Sequence, residues 1–72
     1  MYKDKKITLD DNKTYLVIEE VDYNGRVFLC LADSLDEENI NFVEIKDNNA
    51  VYVDNDFFNK EILPLFKEKF EN

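Results

Sequence analysis

Apolar and polar positions alternate along the first two-thirds of the chain, then switch to steps of three and four residues near the C-terminus. Ile7 and Leu9 flank Thr8 and predict a short first strand. Asp10-Asp11-Asn12-Lys13 predicts a turn, because Asp and Asn bond their own backbone and tolerate left-handed geometry. Thr14 to Tyr23, rich in Tyr, Val and Ile, predicts a second strand. Asn24-Gly25 is the clearest local signal: both central residues of a type I′ turn need positive φ, and this pair supplies it. Arg26 to Ala32 then returns as the third strand. Asp33 to Asn39 reads as an acidic loop and Asn41 to Lys46 as a fourth strand. Asp47-Asn48-Asn49 is another turn, and Ala50 to Val53 a short fifth strand.

A two-residue hairpin loop fixes a register. Tyr23 pairs with Arg26, Val21 with Phe28, Glu19 with Cys30 and Val17 with Ala32 on one face. Ile18 pairs with Leu31 and Glu20 with Leu29 on the other, which also carries Leu16 and Val27. The second face is the more aliphatic and is assigned to the core. Glu20 fits it only at the sheet edge or beside a bulge.

Phe58, Ile62, Leu65 or Phe66, and Phe70 recur at helical spacing, with Asp54, Asn55 or Asp56 available to cap the helix start. Pro64 removes one helical hydrogen bond and predicts a kink or a break. The helix must cover one sheet face to complete a core. The fold class is therefore α+β: an antiparallel β-meander of four to five strands with one C-terminal helix, kinked or broken near Pro64, packed on one face. Residues 1–72 form a single small domain. Strand edges remain open to self-pairing, so the expected state is a monomer or weak homodimer. Lys3, Lys5 and Lys6 guard the first strand, whereas the fifth has only its shortness.

Composition excludes more than it assigns. Six Phe and four Tyr exclude disorder, since each buried aromatic removes roughly 150–250 Å² from water. Seventeen acidic residues against nine basic give a net charge of −8, which opposes binding to nucleic acid and to anionic membranes. The polar start, Met1-Tyr2-Lys3-Asp4-Lys5-Lys6, leads into a strand with no apolar signal region, and Cys30 has no partner. Both features predict a cytoplasmic location.

Chemistry is sparse. With no His, Ser34 lacks a base, and zinc lacks a ligand set beyond Cys30. Cys30 lies mid-strand opposite Glu19, which disfavours its thiolate. The carboxylate pairs Asp10/Asp11, Glu19/Glu20, Glu37/Glu38 and Asp54/Asp56 need a cleft that so short a chain has little room to build. Three Asp/Asn-rich loops lack the ligand spacing, central Gly and final Glu of an EF-hand calcium loop. No catalytic, cofactor-binding or metal site is assigned.

Ile7-Thr8-Leu9-Asp10, Tyr15-Leu16-Val17-Ile18 and Tyr23-Asn24-Gly25-Arg26-Val27-Phe28-Leu29-Cys30-Leu31 resemble the opening of a group of short acidic bacterial proteins of unknown function. That group occurs in low-GC Gram-positive bacteria and their mobile elements. The resemblance implies no activity and carries over no functional residue.

The expectation is a small protein-interaction or accessory domain with a protein partner. It would act through an exposed sheet face, an edge strand or the acidic loop. The candidate surface comprises Val17, Val21, Tyr23 and Phe28 on the face opposite the helix, with Asp36, Glu37 and Glu38 in the acidic segment. The alternative is a phage- or plasmid-type inhibitor whose carboxylates imitate nucleic-acid phosphates.

Overall fold

The computed structural model describes residues 2–71. Five antiparallel strands follow one another in a curled meander, in the order β1 (Lys6–Thr8), β2 (Thr14–Tyr23), β3 (Arg26–Asp33), β4 (Asp36–Lys46) and β5 (Asn49–Tyr52). A C-terminal helical segment, α1, covers residues 55–71.

Two hairpins set the register. Asn24 and Gly25 take φ of 52° and 81°, the left-handed pair that matches strand twist. Asp47 and Asn48 repeat the device at φ 50° and 66°, joining β4 to β5. From the first hairpin the pairs Tyr23–Arg26, Val21–Phe28, Glu20–Leu29 and Glu19–Cys30 follow as expected. The register then shifts between Val17 and Glu19, so Val17 meets Leu31 and Leu16 meets Ala32. Ile18 is the extra residue of this bulge, and it displaces the pairings of Val17 with Ala32 and Ile18 with Leu31. Val17 and Val21 consequently stand on opposite faces.

Each face of the sheet is closed differently. Tyr15, Val17, Leu29, Leu31 and Val43 form one buried cluster, sealed by Tyr2, Ile7, Leu9, Val27, Ile45 and Ala50 from the curling sheet and its edges. Val21, Phe28 and Cys30 form the other, together with Phe58, Ile62 and Phe66 of the helix. The helical residues thus meet the Val21–Phe28–Cys30 side rather than the Leu29–Leu31 side expected of them. The reason lies in β3, where Phe28 to Asp33 are all buried, so alternation carries no sign of which face the helix meets. The curl lets the sheet enclose its own aliphatic side.

The helix begins where Asp54 accepts the Phe57 N–H at 3.0 Å. It runs through an α-turn, Asn55–Phe57, a π-helical stretch, Phe58–Ile62, and an α-helix, Leu63–Glu71. Pro64 is the second residue of that last part. The wide turn, in which the Leu63 N–H reaches the Phe58 carbonyl, stands directly before it. Proline clashes with the carbonyl four residues earlier in a regular α-helix, and a wider turn relieves that clash.

Two polar ties lock the aromatic side. The Arg26 guanidinium donates twice to Glu44, at 2.9 Å from both Nε and Nη2. It also lies 4.6 Å from the Phe57 ring centre and 5.2 Å from that of Phe28. The Tyr23 hydroxyl donates to Glu61 at 2.9 Å, joining the hairpin to the helix.

Candidate functional site

The structure divides the surface residues expected from sequence. Val17 and Phe28 are fully buried and Val21 nearly so, so none of the three offers a docking surface. Tyr23 is half-buried and engaged by Glu61. The apolar face proposed for them is therefore core. Asp36, Glu37 and Glu38 are exposed, but they belong to β4 rather than to a loop, and only Ser34 and Leu35 make the turn. An exposed strand tolerates acids as readily as a loop does, so charge alone could not separate the two.

From the carboxylate pairs, Asp11, Glu19, Glu20 and Asp54 serve structure. Asp11 accepts the Tyr15 hydroxyl at 2.8 Å and the Lys13 N–H at 2.9 Å. These bonds, the backbone one first, hold the Asp11 carboxyl below its ordinary value and push Tyr15 up to about 12. Glu19 accepts the Glu20 N–H and the Lys3 ammonium, which lower its pKa. Burial opposes ionisation of Glu20, but its bond from the Tyr2 N–H at 2.8 Å helps hold it below the ordinary value. Cys30 is buried, and burial with Glu19 opposite raises the thiol to about 11. Among the described residues no group of three or more His, Cys, Asp or Glu converges to hold a metal ion.

The remaining feature is an unequal pair of strands. β5 ends at Tyr52, opposite Val43, whereas β4 extends back to Asp36. The chain leaves the sheet at Asp54 to start the helix, so among the described residues no strand continues beside the first half of β4.

Backbone parity then identifies the open groups. Residues flanking a two-residue hairpin loop exchange both peptide bonds, and bonded positions alternate from there. Starting from Tyr23–Arg26, Val27, Leu29 and Leu31 face β4, where they meet Ile45, Val43 and Asn41. Starting from Lys46–Asn49, Glu44 faces β5, and so does every second residue before it. The alternation holds back to Ile40, which turns its peptide groups outward past the end of β5; beyond it the register shifts, with Ala32 opposite Ile40 but Asp33 opposite Asp36. The Glu38 N–H is taken by the Asp36 carboxylate at 3.2 Å.

A groove of about 530 Å³ lies alongside. Ile40, Phe42 and Tyr52 line its sheet side, and Phe58 and Leu63 its helix side. Ile40 is 42% exposed and Tyr52 70% exposed. Asn41, Asn55 and Asn59 add amides, and no charged side chain lines it. Sequence reading missed this site. Its signal was the spacing of the turn at Asp47 and the cap at Asp54, which confines β5 to a few residues while β4 has no such limit.

No protein-family model, curated protein or solved structure matches the chain.

Proposed function

We propose that this chain is a small protein-binding module that takes an extended segment of a partner onto the open edge of β4. One observation carries the reading: the outward peptide groups of Ile40 lie beside an uncharged groove lined by exposed apolar side chains. Strand addition supplies main-chain hydrogen bonds from the edge and side-chain selectivity from the groove. In this reading α1 is the groove's far wall, packed on one face of the sheet with its axis bent near Pro64. The module acts as a monomer in the cytoplasm. Asp11, Glu19, Glu20 and Cys30 do not support a catalytic reading, because these carboxylates are engaged by neighbours and the thiol is buried and protonated.

The test is selection from a random displayed peptide library, followed by amide chemical-shift mapping of the enriched peptides on the labelled protein. The expected peptides perturb Glu38 to Phe42 and Tyr52 and compete with one another. Ile40→Pro removes an outward N–H at an edge position, where proline is tolerated, and abolishes their binding while the fold persists. Peptides that map elsewhere, or that bind Ile40→Pro undiminished, defeat the proposal.

A further inference from the structure

The groove and its surroundings differ in charge, and that difference selects a partner. Resting on the strand-addition reading above, we infer that the segment taken at β4 is cationic, with one apolar residue seated opposite Ile40 and basic residues beyond it toward Asp36.

In an antiparallel pair, directly opposed residues share a face. A residue paired with Ile40 therefore points to the same side as the Ile40 side chain. There it meets the uncharged groove wall formed with Leu63 and Phe42. A charged residue at that position would be desolvated with no countercharge, because no acid or base lines the groove. An apolar one adds to the exposed surface already present at Ile40 and Tyr52.

Beyond Ile40, β4 bulges over residues 37–39 before Asp36 pairs with Asp33, and the incoming chain leaves the edge beside Glu38 and Glu37. Both are exposed, as is Asp36 beyond them. At the groove's other end the chain leaves β5 through Asp54 and Asp56, which are exposed as well. Both approaches to the groove are thus acidic.

Two cations are already paired: Lys13 with Asp33 at 3.9 Å, beside Asp36, and Arg26 with Glu44. A cationic segment is drawn to the site and an acidic one is repelled, so charge sets both encounter rate and partner choice. The strongly basic partner and the open edge answer each other: the acids that would oppose a second copy of this chain favour a lysine-rich strand.

The test uses three capped heptapeptides: Lys-Thr-Lys-Val-Lys-Thr-Lys and the same sequence with every Lys replaced by Gln or by Glu. Each is titrated into labelled protein at low and at moderate salt, with amide shifts read at Glu38 to Phe42. The Lys peptide is expected to bind about five- to tenfold more tightly than the Gln peptide at low salt, the sum of a few exposed ion pairs. The gap narrows as salt rises. In the double variant Glu37→Gln, Glu38→Gln the preference for the Lys peptide over the Gln peptide disappears. Equal binding of Lys and Gln peptides at this edge overturns the cationic partner and leaves strand addition standing. Shifts spread over distant acids such as Asp10 and Asp47 overturn it as charge attraction without a site. No shift at the edge with any peptide overturns both readings.

Discussion

Inside the curl, Tyr15, Val17, Leu29, Leu31 and Val43 are held by neighbouring strands. Under the helix, Val21, Phe28 and Cys30 depend on Phe58, Ile62 and Phe66, which come from the far end of the chain. The first cluster is largely aliphatic and joined through short hairpins. The second is largely aromatic, with Phe42 tilted against Phe58 and Phe66 at ring-centre distances of 4.6 and 5.2 Å. Local closures form at small entropic expense, whereas distant ones must first bring the ends together. The aromatic cluster is therefore the part that opens first, and the strands around β3 are the part that opens last.

Phe66→Ala is the sharpest way to separate the two. Loss of a fully buried Phe destabilises by about 3–5 kcal/mol, against roughly 4–10 kcal/mol for a domain of this length. Hydrogen exchange should show α1 amides losing protection while those of Leu29 and Leu31 keep most of theirs. Equal loss in both regions would merge the two clusters into one cooperative unit.

Glu44→Gln comes next. Glu44 is only 3% exposed and accepts both Arg26 bonds, so weakening the pair costs about 1–2 kcal/mol. Urea unfolding followed by tyrosine fluorescence measures it. The same group sets an acid limit. The Arg26 bond holds the Glu44 carboxyl below its ordinary value, and Glu19, Glu20 and Asp11 are lowered as well. A depressed folded-state pKa gives stability that is complete above the unfolded value and lost as pH falls through the folded one. The melting temperature should therefore hold near neutrality and decline from about pH 5 downward. A flat profile into strong acid would remove these bonds from the account.

Gly25→Ala has a smaller effect. A Cβ there meets nothing within 4 Å, but φ of 81° strains any L-residue, so the loss is about 1 kcal/mol. Because the hairpin serves both clusters, the change lowers the unfolding midpoint without altering the order of opening. Cys30 supplies a probe with almost no energetic effect. Its thiol is buried in the aromatic cluster and raised to about 11. Labelling with a disulfide reagent at pH 8 should be slow in the native protein and faster in Phe66→Ala. Labelling at the same rate in both would place its opening outside the helix.

The hairpins were legible in sequence because Asn24-Gly25 and Asp47-Asn48 leave the backbone little choice at those positions. Register followed from them only as far as Glu19. The bulge at Ile18 has no marker, since Ile suits a paired position as well as an extra one. Which β3 residues cluster with Phe58, Ile62 and Phe66 was hidden by burial of both sides of β3. The edge site was hidden for a different reason. It arises from the difference in length between β4 and β5, and each strand read singly looks ordinary.

Asp36 fills the Glu38 N–H with its own carboxylate and, with Glu37, puts charge beside the part of β4 that extends past β5. These side chains act as colloidal gatekeepers: an uncovered strand seeks a mate, and like charge keeps identical molecules apart. Asp36→Asn with Glu37→Gln removes that guard while the strand itself still stands. Light scattering on concentrated protein should accordingly report larger particles for this double variant at neutral pH, with growth suppressed when Ile40→Pro is added.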